Sequence, residues 1–230
     1  MNFLQISYST RADFFERSLD PSGIMSTSSG STPPPVWTRA GPTAAWITMT
    51  YGALTLIWAA ALWTAGMSPF EAICHAMTTI ATGGFSTADG SIGAFNSSVI
   101  DWIIVTGMLV GSLPFMLYLQ AVRGNPLVLL QDSQVRYFLA LCLISAVLMT
   151  AWIFFRLDAP VSTALRYAAF STTSIVTGTG FTTTPFDNWG TFPVTLLFFL
   201  MFVGGCTGST TGGIKIFRFQ VLLDSMRTEL

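Results

Sequence analysis

The stretch TTIATGGFST, residues 78–87, interrupts a very apolar chain with two adjacent glycines and five hydroxyl side chains. It lies between two uncharged segments, 44–69 and 102–122. A bilayer core of about 30 Å needs about 20 helical residues, so each of these segments is long enough to span. The stretch therefore connects two predicted membrane spans, although it is too long and too apolar to be a plain loop.

The residues before this stretch carry the signals of a helix start. Ser68 can cap, Pro69 suits the first helical position, and Glu71 completes a capping box. A helix from Pro69 to about Ile80 is only about 18 Å long, too short to cross a bilayer. We predict a re-entrant half-helix that the glycines end, the alternative being an interfacial helix followed by a glycine turn.

Composition supports a membrane protein, because 51% of the residues are hydrophobic and only 9% are charged. The formal charge of -1 and ten scattered cations argue against a nucleic-acid partner. The three cysteines form no CxxC pair and are expected to be packing residues. Two further uncharged runs, 137–155 and 188–214, supply a third and a fourth predicted span, whereas residues 1–41 are predicted to be a flexible cytoplasmic tail.

The cations predict the orientation, because cytoplasmic loops are enriched in Lys and Arg. One side of the predicted membrane collects Arg39, Arg123, Arg136, Lys215, Arg218 and Arg227. The other side collects Glu71, Asp89, Asp101, Asp158 and Asp187, with Arg156 and Arg166. We therefore expect a multi-pass protein of the cell inner membrane with both termini cytoplasmic. The external aspartates are expected to be solvated loop caps, or alternatively a mouth that concentrates cations.

An offset of 96 residues lays ATGGFST, residues 81–87, over TGTGFTT, residues 177–183. The second copy also follows a short apolar segment that begins after Asp158 and Pro160, which predicts a second capped, proline-started half-helix. The predicted fold is all-α integral membrane, with two complete tandem span, pore-helix, filter-loop and span repeats of potassium-channel-like type. The predicted boundaries are 42–124 for the first repeat, 125–134 for a cytoplasmic linker and 135–230 for the second repeat.

A turn at membrane depth limits what its backbone can do. Carbonyl groups outside a helix cannot be satisfied by hydrocarbon, so these turns must face protein or a watery cavity. Gly84 and Gly180 allow positive φ, so that successive carbonyls can point toward one axis and replace the water around a cation. Phe85 and Phe181 are expected to wedge behind the turns and hold their diameter.

The span, pore helix, TGGF or TGTGF turn, and span resemble the Trk/Ktr/HKT superfamily of potassium transporters, most closely its TrkH-like membrane subunit. The resemblance implies four filter segments around one pore, of which this chain holds the second and third. It implies a selectivity filter at Thr82, Gly83, Gly84, Phe85, Gly178, Thr179, Gly180 and Phe181. The transported potassium ion is expected to bind the carbonyls of Ala81, Thr82, Gly83, Thr177, Gly178 and Thr179.

The fourth predicted span contains VGGCTGSTTGGIK, residues 203–215, whose five glycines should break a helix. In the TrkH-like family a broken helix at this position supplies a gate under the filter. The implied gate residues are Gly204, Gly205, Cys206, Thr207, Gly208, Ser209, Thr210, Thr211, Gly212, Gly213 and Lys215. The alternative interpretation is a glycine-rich helix-packing surface.

The sequence predicts a transporter and not an enzyme. His75 is the single histidine, no GxSxG elbow is present, and no two carboxylates lie at mid-span. His75 is expected to pack on the first half-helix, with a role in tuning the outer vestibule as the alternative. No covalently bound cofactor is expected.

We predict a potassium uptake subunit, or a fragment of one, with passive or ion-coupled flux. The alternative is a non-conducting membrane scaffold or regulatory fragment. Four filter segments require further repeats, from a longer chain or from other chains. The expected partners are membrane lipid and those repeats and, by family resemblance, a second copy in a homodimer and a cytoplasmic nucleotide-binding regulatory subunit.

Overall fold

The structure is a computed structural model that describes residues 36–122, 124 and 127–229. Contacts divide the chain into two units, Met1–Ala40 and Gly41–Leu230, and the second unit is described below. Residues 1–35 of the predicted tail lie outside the described residues. The described helix Val36–Thr64 includes residues 36–41 of that predicted tail.

Every named element in the described part of the chain is a helix, which confirms the all-α membrane fold class. The α-helices are α1 (Val36–Thr64), α2 (Pro69–Ile80), α3 (Ser98–Gly111), α4 (Phe115–Val122), α5 (Val128–Gln131), α6 (Ser133–Leu157), α7 (Val161–Val176), α8 (Thr191–Leu200) and α9 (Ile216–Glu229). Short 3₁₀ helices at Ser91–Phe95 and Phe186–Trp189 follow the two turn regions. Helix α6 begins two residues before the predicted repeat boundary at 135.

Two helical segments are long and apolar enough to cross a membrane, Ala44–Thr64 and Ser133–Leu157. The predicted span at 102–122 is bent in the structure, because α3 and α4 meet at an angle of 93°. Pro114 lies in this break, and proline cannot supply the backbone N–H that a continuing helix needs. If α3 and α4 are counted together as one bent span, the described residues contain three segments able to cross a membrane.

The fourth apolar run is also interrupted. Helix α8 ends at Leu200, and regular helix resumes only at Ile216. Between them the chain folds back on itself, since the amide of Gly204 donates to the Ile214 carbonyl at 2.9 Å and the amide of Ile214 donates to the Phe202 carbonyl at 3.1 Å. The glycine-rich segment therefore forms a loop closed at its neck.

The two half-helices begin differently. In α2, the Glu71 amide donates to the Ser68 hydroxyl at 3.3 Å and the Ser68 amide donates to the Glu71 carboxylate at 3.0 Å, a complete capping box. The predicted capped start of α7 is wrong, because Pro160 is itself the N-cap residue and no side chain caps this helix. Asp158 instead ends α6, in the left-handed conformation common at helix C-termini.

Helix α7 packs against both α6 and α3, so the second half-helix joins the two repeats. Phe170 and Phe181 of the second repeat are buried in a cluster otherwise formed by the first repeat. Asp101, which the sequence placed in a solvated loop, is buried in α3 and pairs with Arg166 of α7 at 3.6 Å. That prediction is wrong because the neighbouring repeat covers the carboxylate and supplies its counter-charge.

Candidate functional site

A turn follows each half-helix, and we call residues 81–85 the first turn and residues 177–181 the second turn. The two turns touch. A Cβ built on Gly84 would overlap the carbonyl oxygen of Thr179, whereas a Cβ on Gly180 would meet nothing within 4 Å. The closeness of the turns therefore requires glycine at 84 for space as well as for conformation.

The backbone of the two turns is the same at the bends. Gly84 and Gly180 have φ of 70° and 84°, and one bend earlier Thr82 and Gly178 have φ of 50° and 70°. A left-handed φ costs a β-branched residue more than it costs glycine. Thr82 therefore holds under strain a conformation that Gly178 adopts freely, a feature that the glycine pattern alone did not indicate.

The same hydrogen bonds brace both turns to their half-helices. The hydroxyl of Thr78 donates to the Phe85 carbonyl at 2.9 Å, and the hydroxyl of Ser174 donates to the Phe181 carbonyl at 2.7 Å. The carbonyls of Thr78 and Ser174 in turn accept the amides of Gly83 at 2.7 Å and Thr179 at 2.9 Å. Position 78 and its equivalent 96 residues later are bracing residues that the sequence analysis missed, although the repeat offset aligns them.

Most carbonyls between these braces have no donor. Among the described residues, no amide or side chain donates a hydrogen bond to the carbonyl oxygen of Thr82, Gly83, Thr177, Gly178 or Thr179. The Ala81 carbonyl accepts only the hydroxyl of the next residue, at 2.8 Å. Thr82, Thr177 and Thr179 are buried, where unsatisfied backbone carbonyls are rare, so both turns offer acceptor groups that the described chain does not use.

The two turns differ beyond residue 85. Ser86 follows the first turn, and its hydroxyl lies 3.0 Å from Nε2 of His75. Thr182, the equivalent residue, is held through its backbone by the other repeat, since its amide donates to the Ser91 hydroxyl at 3.2 Å and its carbonyl accepts from Gly93 at 3.1 Å. His75 is fully buried, as the packing prediction requires, and it is hydrogen-bonded as well.

The aromatic residues of the turns also differ. Phe181 is 2% exposed and packs in the interior, whereas Phe85 is 77% exposed. Of the two residues expected to wedge behind their turns, only Phe181 has the burial that such a position requires. The first repeat supplies the pocket for Phe181, and the described residues supply no such pocket for Phe85.

The loop at 203–215 lies against the first turn. The hydroxyl of Thr210 is 2.9 Å from the Ile80 carbonyl, 3.0 Å from the Gly111 carbonyl and 3.3 Å from the hydroxyl of Thr82. Ile80 and Gly111 end helices α2 and α3, where carbonyls lack intrahelical donors. Thr210 therefore joins the loop, the first turn and two helix ends.

The loop also fits into the break between α3 and α4. Cys206 donates its amide to the Ser112 carbonyl at 3.1 Å, and the Phe115 amide donates to the Gly208 carbonyl at 3.0 Å. On the other side, the amide of Thr207 donates to the Gln134 side chain at 3.1 Å. The second and fourth apolar runs are thus interrupted at the same place and satisfy each other's backbone groups.

Side chains within the loop hold its shape. Thr211 accepts from the Gly205 amide at 3.0 Å and lies 2.8 Å from the hydroxyl of Ser209. Lys215 donates to the carbonyl of Thr211 and to its hydroxyl. Beside the second turn, a Cβ on Gly178 would lie 3.8 Å from the Gly212 amide nitrogen. The loop is therefore adjacent to both turns.

One arm of the loop borders open space. A pocket of 390 Å³ is lined by Ile47, Thr48, Tyr51, Phe115 and residues 208–210. Residues 208–210 therefore border a cavity on one side and are hydrogen-bonded to the break between α3 and α4 on the other. At the other end of α2, hydrogen bonding to the side chain and the backbone of Ser68 lowers the pKa of Glu71.

Spanning helices, two half-helices that end in matching turns, and an interrupted final run define an all-helical membrane protein of the tandem pore-loop class. The comparisons with known proteins agree with this architecture. Residues 43–230 match the family model TrkH, described as cation transport protein. The chain belongs to the TrkH family.

Individual relatives cover the same segment. The chain is 42% identical over 181 residues to the Trk system potassium uptake protein TrkI of Halomonas elongata, covering 78% of this chain and 37% of the relative. It is 38% identical over 195 residues to the Trk system potassium uptake protein TrkH of Salmonella typhimurium, covering 84% and 40%. The crystal structure of the potassium transporter TrkH from Vibrio parahaemolyticus superposes with a TM-score of 0.80 at 36% identity, covering 87% and 43%. The chain spans about two fifths of the length of these relatives.

Proposed function

We propose that this chain supplies two of the filter segments of a potassium uptake protein in the cell inner membrane, with both of its termini cytoplasmic. The first and second turns line the pore, and their free carbonyls replace water around the transported ion. The proposed ligands are the carbonyl oxygens of residues 81–83 and 177–179. The relatives named as potassium uptake proteins support the choice of ion.

The observation that carries this proposal is the matched pair of turns. Both bend at positive φ, both are braced by one helix hydroxyl, and five of their carbonyls accept no hydrogen bond from the described residues. The half-helices α2 and α7 end at these turns, so the partial negative charge of both C-termini falls beside the same carbonyls. A dehydrated monovalent cation satisfies both features.

The loop at 203–215 is the proposed gate. Its contacts through Thr210 and Cys206 hold it against the first turn and the break at 111–114, and the adjoining pocket gives one arm room to move. Opening then requires that the Ile80 and Gly111 carbonyls exchange Thr210 for water or for the passing ion.

The remaining filter segments of the proposed pore come from further repeats. Phe85 supports this assembly, because the neighbouring repeat buries its counterpart Phe181 while Phe85 lies open. A homodimer of the complete transporter and a cytoplasmic nucleotide-binding regulatory subunit remain proposed partners, on the basis of the family resemblance.

Ion binding to the purified chain is the direct test. Thermal unfolding in detergent is followed at equal ionic strength in potassium and in sodium chloride. A ligand bound only by the folded state adds RT ln(1 + [L]/Kd), about 2.7 kcal/mol at a hundredfold excess over Kd. We expect greater protection by potassium and its loss in Gly84→Ala. Equal protection by both salts in the unmodified chain would favour the scaffold alternative.

Transport is tested by exchanging residues 43–230 into the Vibrio parahaemolyticus TrkH segment that they match, in cells lacking other potassium uptake. We expect rubidium uptake that Gly180→Asp abolishes. Deleting residues 207–211 should raise the flux if the loop is the gate. Normal flux after the deletion would remove the gate assignment and leave the filter assignment intact.

A further inference from the structure

The chain's single histidine, His75, is fully buried on α2 and contacts residues next to or within both turns. Nδ1 lies 2.8 Å from the Glu71 carbonyl. A carbonyl can only accept, so Nδ1 carries a proton and donates it to Glu71, which leaves Nε2 as the ring atom that pairs with the Ser86 hydroxyl at 3.0 Å. The Ser86 oxygen in turn accepts the Ala88 amide at 3.1 Å. One imidazole thus connects the half-helix to the chain just beyond the first turn.

The ring also reaches the second turn. Its edge meets Phe95 with ring centroids 5.3 Å apart, and its centroid lies 6.1 Å from that of Phe181. Position 171, the equivalent of 75 in the second repeat, holds a serine. There Ser91 and Gly93 of the first repeat hold the residue after the turn instead. His75 therefore holds the residue after the first turn from within the same repeat, whereas the residue after the second turn is held by the other repeat.

We propose that His75 is a positioning residue for ion preference: through Ser86 it fixes the outer end of the first turn and keeps its spacing from the second. This proposal rests on the proposed function of the turns. The imidazole touches no proposed ligand carbonyl and acts through the backbone that follows Phe85. Its loss should change which ion is preferred more than it changes whether the protein folds.

The hydrogen bond is tested on the full chain labelled with ¹⁵N-histidine, which gives a single pair of ring nitrogen signals. We expect a protonated Nδ1 and an unprotonated, hydrogen-bonded Nε2. Ser86→Ala should move the Nε2 signal, whereas Thr87→Ala, a change at the exposed neighbouring residue, should leave it in place. A protonated Nε2 with bare Nδ1, or an Nε2 signal unmoved by Ser86→Ala, would overturn the proposal.

Ion preference is measured in the complete transporter built by the segment exchange. His75→Phe keeps a buried aromatic ring but removes both hydrogen bonds. We expect the ratio of rubidium to sodium uptake to fall about fivefold, the factor that the loss of one net hydrogen bond allows. His75→Gln, which can donate and accept, should restore most of the ratio, and Ser86→Ala should add little to His75→Phe.

The two proposals fail in different ways. If the unmodified exchange protein carries no rubidium and potassium does not protect the purified chain, the pore is refuted and the ion-preference role with it, whatever the ¹⁵N spectra show. If uptake is normal and His75→Phe leaves both the ratio and the KM for rubidium unchanged, the pore stands and the positioning role of His75 is overturned.

Discussion

The aromatic residue of the second turn is enclosed by the protein, and its counterpart in the first turn is not. Phe181 packs in a cluster built largely by the first repeat, and the chain beyond it is tied to Ser91 and Gly93. Phe85 lies exposed, and the chain beyond it is held by His75 from its own half-helix. The backbone bends and the hydroxyl braces are nevertheless the same.

The two turns therefore share their bends but not their support, which comes from a neighbouring repeat for the second turn and from its own half-helix for the first. The second repeat is incomplete alone, because Phe181 of its turn is buried by residues of the first repeat. Matched substitutions in the two turns should therefore have unequal effects.

Replacing the two phenylalanines separates the turns most clearly. Phe181→Ala should lower the free energy of unfolding of the chain by about 4 kcal/mol, because it leaves a large cavity. Phe85→Ala should change it by less than about 0.5 kcal/mol, as an exposed position does. Denaturant unfolding in detergent measures both. In the complete transporter Phe85→Ala should become costly, and a small effect there would mean that no neighbouring repeat covers Phe85.

The contact between repeats also depends on a buried ion pair. Arg166→Met leaves the Asp101 carboxylate buried without a counter-charge, which should cost about 3 kcal/mol. The double variant Asp101→Asn with Arg166→Met removes both charges and should recover part of this loss. Thermal unfolding of Arg166→Met, of Asp101→Asn and of the double variant measures the coupling between the two side chains. Additive losses would show that the pair does not hold the second half-helix against α3.

The glycines of the two turns should respond unequally. Gly180→Ala carries the cost of a left-handed backbone, about 1–2 kcal/mol, but its side chain meets open space. Gly84→Ala carries the same cost and in addition drives a methyl group into the Thr179 carbonyl. We expect Gly84→Ala to be the more destabilising by at least about 1 kcal/mol in the same unfolding assay. Equal losses would mean that the turns are not in contact in solution.

Local sequence patterns predicted much of the fold. The capping box at Ser68 and the length of α2 could be predicted because they depend on residues close in sequence. The 96-residue repeat could be predicted because the two copies align residue by residue. The break between α3 and α4 had a signal in Gly111 and Pro114, which the uniform hydropathy of the run concealed. A proline inside an apolar run predicts a break or a kink, as it does in any other helix.

The features that the sequence could not supply depend on the other repeat. Asp101 has no local sign of burial, because Arg166 lies 65 positions away in the numbering and meets it only through packing of α7 on α3. Phe85 is exposed and Phe181 is buried although each follows a glycine in a similar local motif. The left-handed conformation of Thr82 had no signal either, except its alignment with Gly178.

The smallest predicted effect on stability is that of replacing Thr82, which aligns with Gly178 of the second turn. Thr82→Gly relieves the left-handed strain of a β-branched residue, about 1–2 kcal/mol, but it also frees the unfolded backbone, which offsets much of the gain. Stability should therefore stay within about 1 kcal/mol. The substitution also removes the hydroxyl that lies 3.3 Å from Thr210, so basal rubidium flux in the complete transporter should rise modestly. Thr82→Ser, which keeps the hydroxyl, is the matched control and should leave flux unchanged. A rise in flux with both variants would assign the effect to the backbone of the first turn and not to its contact with the loop.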